Sequence, residues 1–444
     1  MKRKSILLIT VLSLIFTLVG CASNPVNNST TKKGENETYT LPDIKGLTYI
    51  EAIAKVSGKV KFEVTEIPTN TEYPDLVMGY SNKNVGDVVN KGDTVRINVS
   101  KKPLNSYSYD SKVNYVSEIC KLTGPTSVNK DVLLSAGIYG TDLGFPVERG
   151  NETIFLFGDT FSQDKMKGMW FSNFVARTTD KNLDDDLVFD SVVTTSSGQC
   201  MPFAQGLHNA GQIENTGTEV TKIPTGGITI GNNTYIFYMS IRYWGTAGSW
   251  LVSYNQCIKT TNLGTYVNVE SLRWNEDEAP NFGQIYPFKD PNSEYIYLYG
   301  IEGGRNGGMV VARVTEENFE NRSEYEYEVG SNVWLKGDAG LEALKNNPYY
   351  LIEPTVSEMT ITYNEYLGKY MIIFYRNSKL IMLTADNAYS KFENPITLTT
   401  ATEYPGIYGG LTCQSLLKDG GKTFYMVVSC WEVYNTFWVK VVLN

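Results

Sequence analysis

Histidine is almost missing from this chain of 444 residues: His208 is the only one. That excludes multi-histidine metal centres and leaves any Ser-His-Asp or Cys-His triad resting on one residue. Its setting, Gln205-Gly206-Leu207-His208-Asn209-Ala210-Gly211, reads as a loop, and a packing or surface role is favoured over catalysis. Cysteine is scarce too. Beyond Cys21 stand Cys120, Cys200, Cys257, Cys413 and Cys430, an odd set with no C-x-x-C pair. Neither a disulfide framework nor a zinc site is indicated, and the thiols are expected as small buried hydrophobes. Positive charge is in deficit, with 39 Lys and Arg against 48 Asp and Glu and a net charge of −9. Nucleic acid and anionic lipid are therefore poor candidates for the main partner. Acid–base chemistry is left mostly to carboxylates. Aromatics are plentiful, with 30 Tyr and 7 Trp, residues that favour β-structure and offer faces to sugar rings.

The one long apolar run, Ile6 to Gly20, follows Met1-Lys2-Arg3-Lys4 and ends Leu18-Val19-Gly20-Cys21. A basic start, a short apolar stretch and small residues before the cut mark a secretory signal, and the run is short for a membrane span. Its last four residues resemble a bacterial lipobox, which implies cleavage before Cys21, lipidation of that cysteine, and an address on the outer face of the cell membrane. Removing residues 1–20 takes away three basic side chains and no acidic one, bringing the net charge to −12. Residues 21–38 then read as a polar, flexible tether.

Residues 39–102 read as a compact α+β unit. A helix is expected over Tyr49–Val56, where Ala and Ile recur at helical spacing, with strands at Phe62–Thr65 and Thr94–Ser100. The segments LPDIKGLTYIEAIAKV and VGDVVNKGDTVRINVS resemble a PASTA domain, with Asn82-Lys83 where that family usually has proline. The resemblance implies a spacer directed at the cell wall, with peptidoglycan as a weaker expectation for a ligand.

From about 108 to 444 the pattern repeats although the letters do not. Five aromatic-rich strands, Thr153–Asp159, Thr234–Ile241, Glu294–Ile301, Lys369–Arg376 and Thr423–Cys430, each follow a turn and an earlier strand. Each is followed by another apolar strand, and fourth strands fit at Leu187–Val193, Val267–Trp274, Tyr325–Trp334 and Phe392–Leu398. The fifth unit lacks its last strand. A mainly β fold follows: a five-bladed propeller over 108–444, closed by Asn114–Cys120 as the final strand and preceded by the small α+β domain. A large β-sandwich explains the spacing less well.

The segment from Thr141 to Phe161 reads as one hairpin about Gly150-Asn151, which sets Asp142 opposite Asp159 at roughly 5 Å between Cβ atoms. Like charges placed so destabilise a sheet, and a shared active site is one reason to keep both. First strands beginning near Asp142, Thr225, Gln284, Glu358 and Cys413 would bring Glu358 to the same rim, and its apolar strand favours it as the protonated acid. Arg242, Arg305 and Arg376 end or follow second strands, where they neutralise the acids or clamp a substrate carboxylate. Trp170, Trp244 and Tyr408, placed in neighbouring loops, are candidates for sugar stacking. Two or three carboxyl groups at one opening are the equipment of glycoside hydrolysis.

The segments TDLGFPVERGNETIFLFGDTF, SNFVARTTD, IPTGGITI, YLYGIEGGRNGGMVVARV and SEMTITYNEYLGKYMIIFYR resemble, in order, those of domain-of-unknown-function family 4185, across nearly all of 135–444. The family looks like five-bladed propellers related to arabinanase-type glycoside hydrolases, and some members are known as endo-D-arabinanases. The resemblance implies Asp142 and Asp159 as catalytic residues and Glu358 as a site residue; Asn173 is a further candidate for substrate binding. Cys413-Gln414 stands where relatives often carry His-Pro. A polysaccharide substrate and a monomer are expected, with no cofactor and no catalytic metal; related propellers hold calcium, so a structural calcium in the channel stays open. A non-catalytic glycan-binding lipoprotein is the alternative. A sialidase-like activity is disfavoured, since Thr260–Tyr266 is at best a degenerate aspartate box.

Overall fold

The computed structural model describes residues 37–208 and 219–444. The expected signal segment, Cys21 and the tether as far as residue 36 lie outside the described residues. Among the described residues no helix is long and apolar enough to cross a membrane.

Five antiparallel sheets, each of four or five strands, make up the larger part of the chain. Their first strands are Gly140–Arg149, Thr221–Ile230, Gln284–Lys289, Met359–Asn364 and Ile407–Leu411. Each of these touches the next, and the fifth returns to the first, so the sheets form a ring in the layout of a propeller. The second strands are buried over most of their length, Thr423–Cys430 throughout, because neighbouring sheets cover both faces. That is why they read as unbroken apolar runs rather than as alternating ones. Ring closure follows the sequence expectation, since Val113–Lys121 pairs antiparallel with Asn435–Leu443 as the outer strand of the last sheet. The five cysteines beyond Cys21 are free and buried, as small hydrophobes.

Three expectations shift. In the third sheet the single strand expected over Tyr325–Trp334 is a hairpin, Glu326–Gly330 and Val333–Lys336, turned at Ser331-Asn332 with both residues at positive φ. In the first sheet the outer strand shrinks to Ser191–Val192, and an extra strand, Lys167–Phe171, prolongs the hairpin instead. The fifth sheet's first strand ends at Leu411 rather than beginning near Cys413. In this strand a Cβ on Gly410 would lie 2.5 Å from Leu380 Cδ1, so glycine is there for close packing.

The N-terminal unit is a helix, Tyr49–Val56, against a three-stranded sheet of Lys61–Pro68, Thr94–Lys101 and Val77–Tyr80, with Thr38–Thr40 paired to Val88–Asn90. Thr38 of the first of these strands falls within the expected tether. A capping box of Thr48 and Glu51 starts the helix. Ala52 and Val56 on its inner face pack against Val77, Val95 and Ile97. Tyr73 of this unit bonds Asp419 and Thr423 of the fifth sheet.

Candidate active site

The first hairpin forms as expected about Gly150, but its register is not the expected one. Thr141 pairs with Thr160 and Leu143 with Phe157, leaving Asp142 alone against Gly158 and Asp159 in a bulge. Asp142 and Asp159 are therefore not a cross-strand pair. The Asp142 carboxylate lies over Gly158, where a Cβ would meet its Oδ1 at 2.4 Å. Leu143 takes φ +61°, a strained value for a branched side chain, and its N–H donates to Ser429 Oγ at 2.9 Å. A bulge beside a functional group re-aims a side chain, and here it turns both aspartates toward one opening. Gly158→Ala is expected to displace the Asp142 carboxylate, and a crystal structure of the variant checks this: the carboxylate should have left its place over residue 158.

Asp142, Asp159 and Glu358 line a single cleft of about 650 Å³ at the centre of the ring. Asp142 is half-buried. Its Oδ2 accepts from the Tyr408 hydroxyl at 2.6 Å, and its Oδ1 has no partner. Burial pushes its carboxyl up to about 7, the charge of Glu358 adds to the rise, and Tyr408 and Arg305 pull the other way. Asp159 is buried; its Oδ1 accepts from Trp170 Nε1 at 2.7 Å and Thr221 Oγ1 at 2.5 Å. Burial holds its carboxyl well above the usual range, with the charge of Asp142 adding to the effect.

Glu358 accepts from Arg305 Nε at 3.0 Å and Nη2 at 2.9 Å, a two-pronged ion pair. Both carboxylate oxygens are so engaged. Arg305 lies among Trp250, Tyr375 and Tyr408, its guanidinium 4.9–5.5 Å from their ring centres.

Of the other expected residues, Trp244 lines the cleft, edge-on to Trp250 at 5.9 Å. Tyr408 also lines it, from a strand rather than a loop. Trp170 stands beside them, stacked on His208 at 4.0 Å. That contact gives the lone histidine a packing role. Ser172 Oγ lies 2.8 Å from His208 Nε2, but Ser172 is fully buried and outside the cleft, so the pair is no nucleophile and base.

Three expected contacts are absent from the cleft lining. Arg242 turns inward, donating to the Val252 carbonyl, because two register shifts between Ser240 and Tyr243 re-aim it. Arg376 donates to the carbonyls of Thr355 and Glu353, stapling the loop before its own sheet. Asn173 is fully buried, joined to the backbone of Phe203, Ala204 and Lys222. Sequence reasoning missed Trp250, Tyr375, Trp431 and Tyr434, all of which line the cleft. Their shared signal, aromatics at the C-terminal ends of strands or in the turns beyond, is faint without the fold. Among the described residues no group of three or more His, Cys, Asp or Glu is placed to hold a metal ion.

The family model described as Domain of unknown function (DUF4185) matches residues 127–440. No curated protein matches the chain. Among solved structures, one described as a putative hydrolase from Bacteroides ovatus is similar at 13% identity and a TM-score of 0.52, covering 76% of this chain and 93% of that one. A family 117 glycoside hydrolase from Zobellia galactanivorans scores 0.43 at 9% identity, over 76% of this chain and 92% of its own. The Bacillus subtilis arabinanase scores 0.39 at 9% identity, over 68% and 96%. The first likeness concerns the fold alone, and the other two scores lie below the level at which a shared fold follows.

Proposed function

This chain belongs to the DUF4185 family, and from that membership together with the geometry of the cleft we propose that it is a glycoside hydrolase of a furanoside-containing, arabinan-like polysaccharide. One observation carries the reading: three carboxylates meet in a cleft also lined by Trp170, Trp244, Trp250 and Trp431, and burial raises two of the three. Indole faces suit sugar rings, and a protonated carboxyl beside an ionised one is what cleavage of a glycosidic bond requires. Asp159 holds the proton and delivers it to the leaving oxygen as the bond from the anomeric carbon breaks. Asp142, whose carboxylate lines the cleft, takes a proton from the attacking water or itself bonds the anomeric carbon. Among the described residues Arg305 is the one cation lining the cleft, and its pairing with Glu358 favours a neutral sugar. Cys21 anchors the protein by lipid on the outer face of the membrane, and the PASTA-like unit spaces it toward the wall. It acts as a monomer.

The test is a screen of the soluble fragment 39–444 against arabinans, galactans and peptidoglycan, with products separated by chromatography. New reducing ends from an arabinan support the proposal. Saturable binding with no cleavage of any glycan would leave a carbohydrate-binding lipoprotein instead. The pH profile adds a second check. Activity should rise as pH climbs through about 7, where Asp142 loses its proton, and fall at higher pH as Asp159 loses the one it donates. The two limbs belong to the coupled pair.

A further inference from the structure

Trp431 is 58% exposed, an unusual setting for so large an apolar side chain on this molecule. The other six tryptophans each pack against another ring, as Trp170 does on His208, Trp244 on Trp250, Trp274 on Phe282, Trp334 on Tyr389 and Trp438 on Tyr425. Among the described residues, no such ring partner accompanies Trp431. It nevertheless lines the cleft that holds Asp142 and Asp159.

Its position is fixed from below. The backbone N–H of Trp431 donates to the Gly406 carbonyl at 3.0 Å. Gly406 has φ +74°, and a Cβ there would come within 3.1 Å of Trp431 Cδ1, so one edge of the indole rests against bare backbone. At the other end of the same turn, the Tyr434 hydroxyl donates to the Asp159 carbonyl at 3.1 Å. The turn is thus tied directly to the strand bearing the acid. An aromatic face held this way is preorganised for a ligand, since little side-chain freedom is left to lose on binding.

The ring topology places a second platform on the far side. The first sheet's inner strand, which carries Asp142, touches that of the second sheet on one flank and that of the fifth on the other. Trp244 follows the second strand of the second sheet, and Trp431 follows the second strand of the fifth. The two aromatics therefore flank the aspartates from opposite sides, both inside one cleft. We infer that Trp431 is a sugar-stacking subsite across the aspartates from Trp244, so that the cleft takes an oligosaccharide spanning both sides of the cleavage point rather than a terminal sugar alone. Met166, also at the cleft and 50% exposed, supplies an adaptable apolar neighbour.

This rests on the hydrolase reading, and the experiment separates the two. Arabino-oligosaccharides of increasing length, from the monosaccharide upward, are titrated by calorimetry into the full chain carrying Asp142→Asn, so that binding is read without cleavage. Affinity should grow with length. Adding Trp431→Ala should weaken the longer ligands roughly tenfold, as loss of one aromatic contact face would. Trp431→Phe should restore most of that loss, and the melting temperature should be unchanged in both. If Trp431→Ala binds the long oligosaccharides as tightly as its parent while the wild type cleaves arabinan, the subsite is refuted and the hydrolase stands. If the Asp142→Asn parent binds none of them and the wild type cleaves none, both readings fall together.

Discussion

Asp142→Asn is expected to abolish hydrolysis, lowering kcat by roughly a thousandfold or more, while making the protein more stable at neutral pH. The two effects share one cause. The carboxyl is raised to about 7 from an ordinary value of 3.8, chiefly because burial penalises its charged form. Between those two values the folded state binds a proton that the unfolded state has released. Stability is therefore full below about pH 4, falls as pH rises toward 7, and stays lowered above it, by a few kcal/mol in all. Asparagine copies the neutral carboxyl in shape, still accepts from the Tyr408 hydroxyl, and carries no charge to bury. The variant and the wild type should melt together near pH 4, and the variant should melt progressively higher as pH passes 7. A melting difference that does not grow with pH would show that the carboxyl is not desolvated as described. Full activity in the variant would remove Asp142 from the reaction.

That a carboxylate pair sat in this hairpin was legible from the sequence; how the pair is arranged was not. The turn at Gly150-Asn151 and the apolar runs around it are local signals, and they held. The bulge at Asp142 is set by Leu143, Gly144 and Gly158 acting against neighbouring elements. Ser429, a distant residue in the chain, supplies the acceptor that holds Leu143 in its strained turn. The same limit explains Tyr408, read as a loop residue although it stands in a strand whose next two residues, Gly409 and Gly410, answer to the packing of Ser429 and Leu380. The closing strand was legible for the opposite reason: a unit short of one strand must find it elsewhere, and only the segment before the first sheet was unassigned. The arginines were hardest. Side-chain direction at a strand end depends on each bulge before it, so Arg242 and Arg376 went to backbone carbonyls while Arg305 alone reached the acids. Trp431 gave no periodic signal, being a single aromatic in a short turn.

Arg305 carries the other large expected effect, this one on stability. Its guanidinium pairs with Glu358 through two hydrogen bonds, and the Glu358 side chain is only 6% exposed. Removing one partner of a buried ion pair leaves the other charge without compensation, which costs about 3–5 kcal/mol. Arg305→Met should therefore destabilise by that amount in urea unfolding, more than loss of its packing against Trp250, Tyr375 and Tyr408 would explain. Glu358→Gln alone should also destabilise, since the arginine then lies among aromatic rings with no anion. The double variant, Arg305→Met with Glu358→Gln, should recover at least half of the sum, because neither charge remains to be buried. Additive losses in that cycle would mean that the two residues act separately. The distinction matters for function, because an arginine committed to Glu358 cannot also grip an acidic sugar. A large coupling energy would thus support a neutral substrate, and a negligible one would return Arg305 to the residues free to bind it.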